Sequence, residues 1–135
     1  MKKIFSISYS DNGVSFAALI LRIGAGAIML THGFSKLMTF AAKSGTFADP
    51  FHIGSTVSFS LVVFAEVFCS VFVILGLFTR LACIPLIIDM VVALGFAHHW
   101  QVFGDGEKAG LFLAAFLAIL FTGPGKISVD RFIGK

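Results

Sequence analysis

Four stretches of this chain, at about 15–37, 56–78, 81–98 and 109–123, are runs of aliphatic and aromatic residues broken only by small residues and an occasional single charge. No other feature restricts the fold as much. A helix needs roughly 20 apolar residues, within a range of about 17–25, to cross the hydrocarbon core of a bilayer. The first three runs satisfy this. The fourth is short unless it begins near Glu107, with Lys108 snorkelling to the surface. Composition agrees: at 58% hydrophobic and 13% charged, with a mean hydropathy of +1.00, too few polar side chains exist to cover a water-soluble fold. The expected fold is all-α, an integral membrane four-helix bundle forming a single transmembrane domain over 1–135, with the lipid bilayer as its surroundings.

Residues 38–55 are mixed in polarity, and Gly45, Pro50 and Gly54 break any regular element there. They are expected to form the longest loop, whereas "GLFTR" at 76–80 is a tight turn that makes an antiparallel hairpin of the second and third helices. With four spans, both termini and that turn share one side. This side holds Lys2, Lys3, Arg80, Lys126, Arg131 and Lys135; the other holds Lys36, Lys43 and Lys108. The excess of cations predicts that both termini are cytoplasmic. Polar residues through Ser15 separate Lys2 and Lys3 from the first run, and Gly33-Phe34-Ser35-Lys36 is a poor cleavage site. A retained helix is therefore expected in place of a signal peptide. The pI near 9.1 comes from cations standing singly beside apolar segments, so nucleic acid is not an expected partner. Cys69 and Cys83 have no C-x-x-C spacing and signal neither a redox pair nor a zinc site.

Three ionisable residues fall inside the runs: Arg22, Glu66 and Asp89. Each would cost several kcal/mol facing lipid unpaired, so all three are expected to face the bundle interior. From the cytoplasmic ends, Arg22 and Asp89 lie roughly 10–12 Å deep and Glu66 roughly 18 Å deep, at about 1.5 Å of rise per residue. Arg22 is expected to pair with one of the two carboxylates, which leaves the other protonated or well hydrated. Two readings stand side by side: an ion pair that fixes helix register, and a proton relay or the wall of a polar ligand pocket. Arg22, Gly26, Met29, Gly33 and Lys36 mark the inward face of the first helix, where small residues allow close helix contact.

A second polar cluster is expected on the outer side. His32 and Lys36 end the first helix, His98, His99 and Trp100 end the third, and Asp105 and Glu107 precede the fourth. Imidazoles from two helices at one depth can hold a metal, a haem or a quinone headgroup, although His and Trp also settle at headgroup level with no ligand. Adjacent histidines cannot point the same way on a helix, so at most one of His98 and His99 faces inward.

Three segments carry a resemblance. "LRIGAGAIMLTHGFSK" at 21–36 places an arginine ahead of a His-Gly-x-x-Lys ending. "FAEVFCSVFVILGLFTRLA" at 64–82 places a glutamate ahead of a Gly-Leu-x-Thr-Arg turn. "FTGPGKISVDRFI" at 121–133 ends in Gly-Pro-Gly-x-x-Ser-x-Asp. In this order the chain resembles the DoxX family of small bacterial four-helix membrane proteins, over about Leu21 to Phe132. Arg22, His32, Lys36, Glu66, Arg80 and Asp130 match family positions, whereas Asp89 and the His98-His99 pair look particular to this chain. The resemblance implies a bacterial inner-membrane location and a loose association with redox chemistry. Some members are described as subunits of thiosulfate:quinone oxidoreductase or terminal oxidase complexes, others as partners in oxidative-stress complexes. The first expectation is therefore a subunit linked to quinone-dependent redox chemistry, with a polar pocket of Arg22, Glu66 and His32. It would take electrons through a redox or membrane-protein partner, because the chain has no cofactor motif of its own and is not a complete oxidoreductase. A quinone is the cofactor such a pocket would take; haem and metal are disfavoured. The alternatives are a non-enzymatic module that binds or transports a small ligand, and an assembly factor. Homo-oligomerisation is open in each case.

Overall fold

The computed structural model describes residues 3–134, and every regular element among them is helical. Helix α1 runs from Asp11 to Met38. It starts ahead of the apolar run because Ser10 caps it, its Oγ accepting the Gly13 N–H at 3.0 Å. A single turn, α2 (Phe40–Lys43), follows. The loop after it is organised by Asp49, whose carboxylate accepts from the N–H groups of Ile53 and Gly54 and from the Ser58 hydroxyl. Helix α3 (Ser55–Leu75) contains a π-helical stretch, Phe64–Cys69. It stops at Gly76, in the left-handed region at φ 70°, where the Gly76 and Leu77 N–H groups bond back to Val73 and Phe72. This is a Schellman ending, and it needs a residue without a Cβ penalty. Helix α4 (Thr79–Ala97) finishes in a second π-helical stretch, Ala93–Ala97. Helix α5 (Glu107–Thr122) and a short α6 (Val129–Ile133) complete the chain.

α1, α3 and α4 are long and apolar enough to cross a membrane. α5 has 16 residues, about 24 Å of helix against a hydrocarbon core of about 30 Å. It packs mainly on α4, with α1 also in contact. Met29, Val73, Cys83, Leu86, Phe116 and Ile119, each 1% exposed or less, form the centre of the core. The outside is equally apolar, with Ile20, Phe68, Ile88 and Leu111 more than half exposed. A chain with apolar side chains on both sides of its helices is built for lipid, where each helix satisfies its own backbone hydrogen bonds. α1 and α3 approach closely through glycine. A Cβ on Gly33 would lie 2.6 Å from the Glu66 carbonyl carbon, and one on Gly26 would lie 2.6 Å from the Ile74 side chain.

Candidate intramembrane site

The buried residues of α1 are Ala18, Arg22, Gly26, Met29 and Gly33. Their three- and four-residue spacing puts them on one stripe. Lys36 continues that stripe one turn beyond Gly33 and reaches across to α3. Its ammonium donates to both carboxylate oxygens of Glu66, at 2.6 and 2.7 Å. The Glu66 side chain is only 4% exposed and that of Lys36 34%, so the pair is buried at its acidic end and open at its basic end. Gly33 lets the backbones approach closely enough for this contact. The π-helical turn Phe64–Cys69 carries Glu66; such a turn inserts an extra residue and often marks a functional position. From α4, Asp89 brings a second carboxyl to the neighbourhood of Glu66 and Lys36. Its Oδ2 is buried and has no hydrogen-bond partner.

Arg22 is elsewhere. It was expected beside Glu66 or Asp89, but its guanidinium turns to the opposite end of the bundle and bonds only backbone carbonyls. Nε donates to Val73 O at 2.9 Å and one terminal nitrogen to Ile74 O at 3.0 Å. The other donates to Pro124 O and Ile127 O, both at 2.7 Å. The physical reason is local. The last carbonyls of α3 lack the donors of a next helical turn, with only the Gly76 N–H on Val73 O, and carry the negative end of the helix dipole. An arginine one helix away satisfies them without desolvating a second charge. At 1% exposure Arg22 is among the most buried side chains of the protein.

The C-terminal segment is held at the same end. Asp130 accepts from the N–H groups of Phe78 and Thr79, at 2.6 and 2.9 Å, and from the Thr79 hydroxyl at 2.7 Å. It thus caps α4, which has no side-chain cap from its own sequence. Burial works to raise the Asp130 carboxyl, but the bonds from Thr79 and Phe78, with the Arg22 charge nearby, outweigh it and hold the group below the usual carboxylate range. Ser128 caps α6 through the Arg131 N–H, and Arg80 donates to Leu120 O near the end of α5.

The expected outer cluster is dispersed. His32 sets its ring edge-on to Phe112, with centroids 6.0 Å apart. Lys36 belongs to Glu66, not to the histidines. His98 is half-buried, whereas His99 and Trp100 are exposed and occupy left-handed backbone at φ 49° and 61°. Asp105 and Glu107 are exposed. Among the described residues, no three His, Cys, Asp or Glu side chains converge as metal ligands do. Sequence reasoning placed Lys36 on the inward stripe but did not pair it with Glu66. The available signal was its position at the end of that stripe, with a flexible stem able to reach back into the bundle.

An all-helical protein with an apolar exterior and charges buried between its helices is an integral membrane protein, and the comparisons specify which kind. The DoxX family model matches residues 17–100, and the chain belongs to the DoxX family. It is similar to the inner membrane protein YphA of Escherichia coli, at 30% identity over 93% of this chain and 98% of that protein. It is also similar to the uncharacterized membrane protein Rv3486 of Mycobacterium tuberculosis, at 30% identity over 88% and 82% of the two chains. An uncharacterized protein of Haemophilus influenzae matches at 30% identity over 82% and 86%. No solved structure matches. The protein is a bacterial inner-membrane protein.

Proposed function

We propose that the chain is a four-span membrane subunit or accessory protein, with α5 as the fourth span and both termini cytoplasmic, linked to quinone-dependent redox chemistry. The observation that carries this reading is the buried Lys36–Glu66–Asp89 group, in which one carboxyl oxygen lacks a partner. Intramembrane ionisable groups of this kind mark proton relays and polar ligand sites. A quinone supplies two-electron, two-proton redox chemistry when bound. The residues fit one: Lys36 offers a donor at the open end of the pair, and Asp89 offers an unused oxygen. An apolar groove of about 210 Å³ shares Phe64 and Cys69 with the π-helical turn that bears Glu66. In this reading Glu66 orients the Lys36 ammonium, Asp89 accepts or returns a proton, and electrons come from a partner subunit.

The alternative, a module that binds or carries a small ligand or docks a partner without redox chemistry, draws on the outer loop. There His99 and Trp100 are held in left-handed backbone, and Trp100 and Phe103 are exposed. Backbone of that kind persists where surrounding structure holds it, often at contact sites. The test is to purify the protein in mild detergent from membranes, then record its absorption spectrum and analyse its extracted lipids. A quinone that co-purifies with the wild type and is lost from Glu66→Gln supports the redox reading. Protein that carries no quinone yet binds or moves a solute without a redox partner overturns it.

A further inference from the structure

We infer that Glu66 and Asp89 together hold one exchangeable proton, which enters and leaves past Lys36, while a dry layer of core side chains closes the route to the other face. The inference rests on the same site as the proposed function but not on quinone, since the carboxyl pair is present whatever ligand the protein takes.

Lys36 of α1 pairs with Glu66 of α3, and Asp89 of α4 is the neighbouring second carboxyl. Both ammonium bonds go to Glu66, at 2.6 and 2.7 Å, so Asp89 receives none. Its buried Oδ2 has no donor. A second full negative charge there would stand beside Glu66 in a medium that screens poorly, with nothing to solvate it. One hydrogen between the two carboxyls removes the excess charge and supplies the missing donor, because a protonated carboxyl donates where an ionised one only accepts. Among the described residues, no further carboxyl, imidazole or cationic side chain competes at this depth. From Ala109 to Thr122 α5 carries none, Glu107 and Lys108 are exposed at its start, and His32 is turned to Phe112.

Access follows from the exposures. Lys36 opens the site toward the end of α1, with its side chain one-third exposed. In the other direction, the seven residue steps from Glu66 to Val73 span about 10 Å of helix. That layer is filled by Met29, Val73, Cys83, Leu86, Phe116 and Ile119, all 1% exposed or less. Ser70 Oγ interrupts it, buried and without a partner, but a lone hydroxyl cannot bridge such a distance. Beyond the layer lies Arg22, its donors committed to carbonyls.

Infrared spectroscopy of the full-length protein in lipid vesicles at neutral pH tests the proton, with D2O as the probe. The expected result is one protonated-carboxyl carbonyl band that shifts promptly in D2O and is lost in Asp89→Asn. In Glu66→Gln the band moves, because its hydrogen-bond partner has changed. A wild-type spectrum without the band overturns the inference whether or not the variants fold. So does a band unaffected by both substitutions, or one that D2O leaves in place. A charged thiol reagent tests the layer, since both native cysteines sit in the core. Cys69 and Cys83 are expected to stay unmodified from either face, while Thr39→Cys, beside Lys36, reacts. Modification of the native cysteines as fast as Thr39→Cys overturns the closed layer.

Discussion

The two buried charge centres of this protein solve the same problem in opposite ways. Arg22 is fully buried and meets only backbone oxygens, four of them, drawn from the end of α3 and from the C-terminal segment. Glu66 is as deeply buried, yet it meets a partly exposed ammonium and has a second carboxyl in its neighbourhood. The first centre is closed: its partners are main chain, they cannot titrate, and they belong to elements that must be in place for the fold to exist. The second is open, because its partners are side chains that can change protonation and one oxygen remains unused. A buried charge surrounded by backbone indicates architecture. A buried charge beside other titratable groups is the arrangement on which the proposed function rests. Substitutions at the two centres should separate accordingly, with folding lost at one and binding at the other.

The largest effect is expected at Arg22. Arg22→Ala strands carbonyls at the end of α3 and unties the Gly123–Ile133 segment, which should destabilise the protein by about 3–5 kcal/mol. Unfolding by heat or SDS in detergent micelles reads this out. Arg22→Lys keeps the charge but not the planar fork, and should recover less than half of the loss. If Arg22→Ala unfolds like wild type, the closed centre is not architectural and the contrast fails.

At the open centre, Lys36→Met leaves two carboxyls with no cation and should cost about 2–3 kcal/mol, because the surviving charge is left buried. Adding Glu66→Gln should return most of that cost, and the coupling between the two changes should be about 1–2 kcal/mol. Glu66→Gln alone should be mild in stability, since an amide still meets the ammonium through its oxygen. Comparable losses for Glu66→Gln and Arg22→Ala would show that the centres do not differ in kind.

A smaller effect is expected at Gly33. A Cβ there would lie 2.6–2.8 Å from backbone atoms of Glu66, not from the end of a flexible side chain. Gly33→Ala must therefore part α1 from α3, at about 1–3 kcal/mol, and should loosen the Lys36–Glu66 contact. Gly24, with nothing within 4 Å of an added Cβ, is the control: Gly24→Ala should be neutral or slightly stabilising.

This contrast was only partly legible in the sequence. Hydropathy located the apolar segments because lipid demands length, and the stripe through Arg22, Gly26, Met29, Gly33 and Lys36 followed from helical spacing alone. The partners did not follow. Charge counting sends Arg22 to a carboxylate, since side chains are what a sequence displays. The carbonyls at the end of a helix are donor-starved in every sequence and so leave no mark in this one. Lys36 was on the inward stripe but grouped with the outer histidines for a related reason, because a residue near a helix end looks like part of the surface although its stem can reach back inward. Asp130 is a cap supplied by a segment some fifty residues away from α4, and only a tertiary contact reveals it.

Asp130 also gives the smallest test, and a pH-dependent one. Its carboxyl is held below the usual carboxylate range by bonds from Thr79 and Phe78 that outweigh the effect of burial. A group depressed in the folded state stabilises at pH above its unfolded value of about 4. That contribution fades as pH falls through the folded value, because the unfolded chain takes up the proton first. Asp130→Asn, which keeps the shape and one acceptor, should cost about 1 kcal/mol at neutral pH, as for loss of a helix cap. The cost should shrink on acidification below about pH 4, where the wild-type cap itself is being protonated. Unfolding midpoints of wild type and Asp130→Asn should therefore converge at low pH. A gap that stays constant across that window would mean the cap acts through shape and not through charge. Asp130 would then belong wholly to the architectural end of the molecule, with nothing there left to titrate.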